Sequence, residues 1–180
     1  MNPFKPILAD VFAQVVQPLL LASGFVARRS LTWRRGDRLE VRAVVDSKAT
    51  DRYRGGAFTI EFETSDDGRF AHKLSGRTRI DQLIDDDQRR RFLAVRNSIA
   101  ERLQKPDPSY LADWADELRA EYLRPFLRAE VSERQFWMRY RNVEDLHESC
   151  SLIVEVLPDL IRRAESIDPH ELVLGQDLKW

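Results

Sequence analysis

Cysteine occurs once in these 180 residues, as Cys150, so no disulfide can close within the chain and a small stapled scaffold is excluded. A lone thiol fits a reducing compartment, and the cytoplasm is the expected location. An excess of either charge sign is also missing. With 29 Lys and Arg against 30 Asp and Glu, the formal net charge is −1, and nothing in that balance calls for nucleic acid or anionic lipid. Long apolar runs are absent too. The start, MNPFKPILADVFAQVVQPLLLASGF, is broken by Lys5, Asp10, Gln14 and Gln17, so it reads as an amphipathic helix and not as a signal peptide. No window reaches the roughly 20 mostly apolar residues of a membrane span, and no membrane role is expected. The 7 glycines and 8 prolines sit at punctuation points, without a linker, repeat or low-complexity tract. One domain over 1–180 is the simplest reading.

What is present is a core-forming pattern. Hydrophobic residues make up 43%, and a domain of this size buries roughly 70% of its unfolded-state surface. Phe4, Ile7, Leu8, Val11, Phe12 and Val15 recur at helical spacing, Pro18 kinks or interrupts that helix, and Gly24 is a plausible stop. From Phe25 the period becomes two. Phe25, Ala27, Leu31 and Trp33 predict one strand, Gly36-Asp37 a turn, and Leu39, Val41, Ala43 and Val45 the strand that returns. The segment KATDRYRGG is read as a loop, AFTIEFET as a third strand, and Phe70 to Ile80 as either a short strand or an irregular crossover.

The second half carries helical periodicity. Asp85, Asp86 and Asp87 suit the positive end of a helix whose stripe is Phe92, Val95, Ile99 and Leu103. Asp107-Pro108 starts another, with Leu111, Trp114, Leu118 and Tyr122 inward. The run 135–141 fits either a strand or a helix start. Asn142 caps a last helix bearing Leu146, Cys150, Ile153, Val154, Leu157 and Ile161, which Pro158 is expected to kink. The order predicts an α+β fold: an antiparallel meander of about three to five strands, with an N-terminal helix and a C-terminal helical half packed on one face. Its parts are 4–80 for helix and sheet, 85–166 for the helical half, and 167–180 for a tail.

Arginine is conspicuous in LTWRRGDRLEVRAVVDSK, residues 31–48. Arg38, Glu40, Arg42 and Asp46 on one strand and Glu61 and Glu63 on the next predict a polar, solvated face on which opposite charges meet. Arg28, Arg29, Arg34 and Arg35 on the hairpin and Arg52 and Arg54 in the loop remain unanswered, with Trp33 and Tyr53 among them. Guanidinium groups fork onto phosphates and aromatic faces stack on bases, so these eight residues are the candidate site for an anion or a partner. Arg35-Gly36-Asp37 spells an adhesion tripeptide, which the turn explains.

Catalytic constellations are sparse. Glu144, His147, Glu148 and Cys150 have metal-ligand spacing, but Cys150 lies on the apolar stripe, so a buried thiol is expected and no metal site. The aspartates 85–87 read as a helix cap, because consecutive helical residues point apart. Asp46 with Glu61 and Glu63 resembles the carboxylates with which metal-dependent nucleases hold Mg²⁺, without the lysine that usually follows. His72 and His170 have no partner in spacing, and there is no G-x-S-x-G, P-loop or dinucleotide glycine motif. No catalytic residue, cofactor or metal is expected.

The succession of an N-terminal helix, Gly24-Phe25, Trp33, Ser47-Lys48 and the aromatic strand Phe58 to Phe62 resembles the bacterial proteins grouped as domain of unknown function family 4304. The likeness covers roughly residues 4–105, with an echo in FWMRYRNVEDL. It implies a bacterial source and supports the α+β fold, and it supplies no catalytic residue. The expected function is a non-catalytic module of a bacterial cytoplasmic protein that binds another protein. The alternatives are a nucleic-acid- or phosphate-binding accessory protein using the hairpin at 28–54, and a nuclease-like enzyme.

Overall fold

The computed structural model describes residues 4–46, 56–66, 68, 70, 76–104, 137–140 and 142–167. The expected helix from Asp107, most of the loop KATDRYRGG and nearly all of the tail lie outside the described residues. The chain opens with helix α1 (Phe4–Val11), widens into a π-helical turn over Phe12–Val16, and resumes as α2 (Gln17–Ala22). Pro18 gives the reason. Proline has no N–H for the carbonyl of Gln14, and its ring crowds that carbonyl in a regular α-helix. The wider turn just before it, in which the Gln17 N–H reaches back to the Phe12 carbonyl, relieves the crowding without ending the helix. Gly24, at φ +82°, then stops it as expected.

Six antiparallel strands follow among the described residues: β1 (Val26–Arg29), β2 (Thr32–Arg35), β3 (Leu39–Val45), β4 (Gly56–Thr64), β5 (Gly76–Arg79) and β6 (Met138–Tyr140). They form one sheet in the order β1-β2-β3-β4-β5. The far side of β4 is shared, since Glu61–Thr64 pair with β5 and Gly56–Phe58 pair with β6. The run 135–141 therefore contains a strand, and Phe70 to Ile80 ends in one. The fold is α+β, with one strand more than the expected range.

The predicted first strand is in fact two. Ser30-Leu31 forms a tight turn between β1 and β2, with Leu31 at φ +62°. That conformation costs a leucine energy. It is held because the Leu31 side chain is buried and its carbonyl accepts from the Ala43 N–H at 2.9 Å.

One face of the sheet is apolar. Trp33, Val41, Phe58, Ile60 and Phe62 meet Leu8, Phe12, Val16 and Leu20 from the first helix, and Leu146, Ile153, Leu157 and Leu160 from the last. Phe12 sits at the centre, stacked on Trp33 with centroids 6.0 Å apart and edge-on to Phe58 at 5.4 Å. The stretch Lys5–Ala22 has the length and apolar content of a membrane-crossing helix, which the interrupted sequence did not suggest; its Leu8, Val11, Phe12, Val16 and Leu20 belong to this core.

The remaining helices among the described residues are α3 (Ile80–Leu83), α4 (Asp86–Gln104) and α5 (Val143–Ser166). Asp85 caps α4 as expected. Its Oδ1 accepts from the Gln88 N–H at 2.9 Å while Gln88 Oε1 accepts from the Asp85 N–H at 3.2 Å, a reciprocal pair that satisfies two otherwise orphaned donors. Arg163 adds an ion pair to Asp85 at 2.8 Å. Together with the backbone hydrogen bond from Gln88, it holds the Asp85 carboxyl below the usual range. Asn142 caps α5 by accepting from the Asp145 N–H at 2.9 Å, and the helix continues through Pro158. Tyr140 of β6 lies over Gly56, where an added Cβ would come within 2.6 Å of the phenol oxygen, so only glycine lets β6 dock on β4 with that ring in place.

Asp81 in α3 is a buried carboxylate at 7% exposure, and its Oδ1 has no hydrogen-bond partner. Burial pushes its pKa above 3.8, against the opposing pull of a backbone hydrogen bond and of Arg79 and Arg89. The unfolded carboxyl therefore ionises first as pH rises, so this group's contribution is full below the unfolded value and falls as pH climbs towards the folded one. Asp81→Asn is expected to raise stability near neutral pH and to lose that advantage in acid. Urea denaturation of both proteins from acid to neutral pH checks it, and an asparagine variant less stable at every pH would overturn the assignment.

Candidate interaction site on the sheet

Alternation along β2 sends its four residues to opposite sides. Trp33, 3% exposed, points into the apolar core, where its Nε1 donates to Gln17 Oε1 at 3.3 Å. It cannot stack on a base. Its odd position, shared with Leu31, Leu39 and Val41, was the signal. Arg35 lies on the same side at the rim, donating to the Ser23 carbonyl at 3.3 Å, pairing with Glu165 of α5 and lying 4.9 Å above the Phe25 ring. It fastens the end of α2 and the end of α5 to the sheet.

Arg34 turns to the other face, where it pairs with Glu40 at 2.8 Å and covers the Phe70 ring at 4.1 Å. That face is a ladder of ion pairs. Arg42 reaches Glu63 at 2.8 Å and Glu61 at 3.3 Å, and approaches Glu40 at 4.0 Å. Arg77 meets Glu63 at 3.2 Å and Arg79 meets Glu61 at 3.6 Å. Arg79 also lies 5.8 Å from the Trp137 ring centre.

Opposite charges meet across the ladder as expected, with Arg42 facing Glu61, but the solvation expected of this face is corrected. The face is only partly solvated: Glu63, Glu40 and Thr59 are buried, while Arg34, Arg77 and Arg79 keep partial exposure. The register also sets Glu40 opposite Glu63, a like-charge pair that destabilises a ladder on its own. Arg42 resolves it by reaching both carboxylates. Arg38 lies exposed in the turn before β3, off the ladder. Arg77 and Arg79 of β5 were missed by the sequence reading, although the alternation Arg-Thr-Arg at 77–79 carried the signal.

The arrangement leaves little for chemistry. The register places Asp46 four residues along β3 from Arg42, which faces Glu61, and at about 3.3 Å per residue that is roughly 13 Å. One cation cannot span it. Among the described residues no group of three or more His, Cys, Asp or Glu side chains could hold a metal. In the Glu144–Cys150 cluster, Glu148 is paired with Arg102 at 2.5 Å. Cys150 is wholly buried there, and burial pushes its thiol up to about 12, which suppresses the reactive thiolate.

What stays open is the edge. All four residues of β1 are exposed, and β1 pairs only with β2 among the described residues. Arg28 sits at a register shift between Ala27 and Arg29. Neither Arg28 nor Arg29 makes an ion pair or a side-chain hydrogen bond among the described residues. Beside them Val26 is 58% exposed, and Leu21, on the last turn of α2, is 47% exposed. Arg52, Tyr53 and Arg54 lie outside the described residues. Of the eight candidate positions, then, Arg28 and Arg29 share an accessible strand, Arg34 and Arg35 are engaged on opposite faces, and Trp33 is core. Comparison with family models, with curated proteins and with solved structures returns no match to this chain, so the likeness to domain of unknown function family 4304 rests on the residues quoted for it.

Proposed function

We propose that this chain is a non-catalytic module of the bacterial cytoplasm that binds another protein, and that the partner meets the open edge of β1. The observation that supports this reading is where unsatisfied capacity remains. Among the described residues the apolar face is filled by helices, the charged face is occupied by its own ion pairs, and an exposed strand edge bearing Val26 is left, with Leu21 exposed on α2. Unpaired strand edges are templates for pairing with another chain, and proteins usually blunt or cover them. The rival reading, nucleic-acid or phosphate binding by the hairpin at 28–54, draws on Arg28 and Arg29 but loses Trp33 as a stacking surface.

A photoreactive amino acid placed at position 26 of the full chain, in its native host, tests this. One reproducible protein adduct is expected from position 26 and none from Gln14, which is exposed on the π-helical turn and not part of β1. No adduct, the same adduct from both positions, or a nucleic-acid adduct would overturn the proposal.

A further inference from the structure

Among the described residues, the edge of β1 combines backbone hydrogen-bonding capacity with positive charge that no carboxylate neutralises. Its four residues span about 13 Å at the usual rise, enough to pair with roughly four residues of another strand. Arg28 and Arg29 stand out from the arginines of β2, β3 and β5. Arg34, Arg35, Arg42, Arg77 and Arg79 each have a carboxylate partner, at 2.8, 3.2 and 3.6 Å for Arg34, Arg77 and Arg79. Every carboxylate of β3 and β4 is taken up by that ladder, so none is spare for the edge.

We infer that the occupant of this edge is an extended acidic segment of a partner protein, which adds to the sheet as a further strand with its carboxylates against Arg28 and Arg29 and an apolar residue beside Val26. Main-chain hydrogen bonds supply affinity in such strand addition, and alternate side chains supply specificity. Complementary charge speeds encounter and rejects basic competitors. A second copy of this chain is the poorer occupant. Antiparallel pairing of β1 with itself would set Arg28 opposite Ala27 and Arg29 opposite Val26, which crowds four arginines into one short seam and gives none of them a carboxylate. The inference rests on the interaction reading above and deepens it by naming the partner's chemistry.

The test uses the full chain and fluorescent model peptides: one alternating valine and glutamate, one alternating valine and lysine, and the acidic peptide with alternate backbone nitrogens methylated. A single-stranded oligonucleotide is measured beside them. At low salt the acidic peptide is expected to bind about tenfold or more tighter than the basic one, as complementary and like-charged seams differ. Methylation should abolish that binding, because it removes donors needed for strand pairing. The double variant Arg28→Glu with Arg29→Glu should reverse the preference. Equal binding of both peptides, survival of binding after methylation, or tighter binding of the oligonucleotide would overturn the inference. So would a position-26 adduct of the chain with itself. If the peptides fail while position 26 still captures a different protein, the interaction reading stands and the acidic strand falls; if position 26 captures nothing, the interaction reading falls.

Discussion

Replacing Glu63 by alanine is expected to destabilise the protein by about 3–5 kcal/mol, the range for breaking a buried ion pair by removing one partner. Its side chain is wholly buried and accepts from Arg42 at 2.8 Å and from Arg77 at 3.2 Å. Without it, Arg42 keeps only Glu61 at 3.3 Å and the distant Glu40, and its Nε already lacks a partner. The guanidinium would stay largely buried with less negative charge to offset it. Glu63→Gln preserves an acceptor oxygen and should lose less. Urea titration reads both effects as a fall in midpoint at unchanged slope. A loss below about 1 kcal/mol for the alanine variant would mean that the ladder behaves as solvent-screened pairs do, and its burial would then count for little.

Phe12→Ala should have an effect of similar size for a different reason. The ring is fully buried and touches both Trp33 and Phe58, so its removal loses transfer free energy and leaves a void that rigid aromatic neighbours cannot close. About 3–5 kcal/mol is the usual cost of such a truncation, which lowers Tm by about 10 °C in a chain of this length. Phe12→Leu should retain most of the stability. An alanine variant melting within a degree or two of the parent in calorimetry would show that the first helix is not part of the cooperative core.

Much of this architecture was legible because two periods are hard to disguise. The alternation through Leu39–Val45 and Gly56–Thr64 could bury one set of side chains only as paired strands, and the structure pairs them from Leu39 opposite Thr64 to Val45 opposite Phe58. Gly24, Asp85 and Asn142 announced helix ends through their own chemistry.

The turn at Ser30-Leu31 announced nothing. Leucine carries no turn signature, and the pairing of Val26 with Arg34 and of Ala27 with Trp33 keeps even positions facing even and odd facing odd, parity breaking only at the turn, where Arg29 faces Thr32. An unbroken strand and a tight hairpin therefore produce the same alternation. Trp33 was misplaced because its arginine neighbours outweighed its parity, although parity alone put it with Leu31, Leu39 and Val41.

The fate of the charged face was hidden for a more general reason. Polarity in a sequence shows which residues could tolerate water, and mutual pairing of arginine with glutamate removes the need for it. Arg77 and Arg79, which complete that pairing, come from β5, the strand that next follows β4, in a stretch whose sequence left strand and irregular crossover both open. The edge formed by β1 was invisible for a related reason: whether a strand is terminal depends on what fails to pair with it.

The seat of Tyr140 over Gly56 ties together two positions far apart in the chain. Neither residue is free to drift alone, since any methyl group at 56 evicts the ring and any smaller residue at 140 leaves a hollow above bare backbone. In kindred chains the two columns should change hands together, a phenol wherever glycine is kept and a side chain at 56 only where the ring has gone.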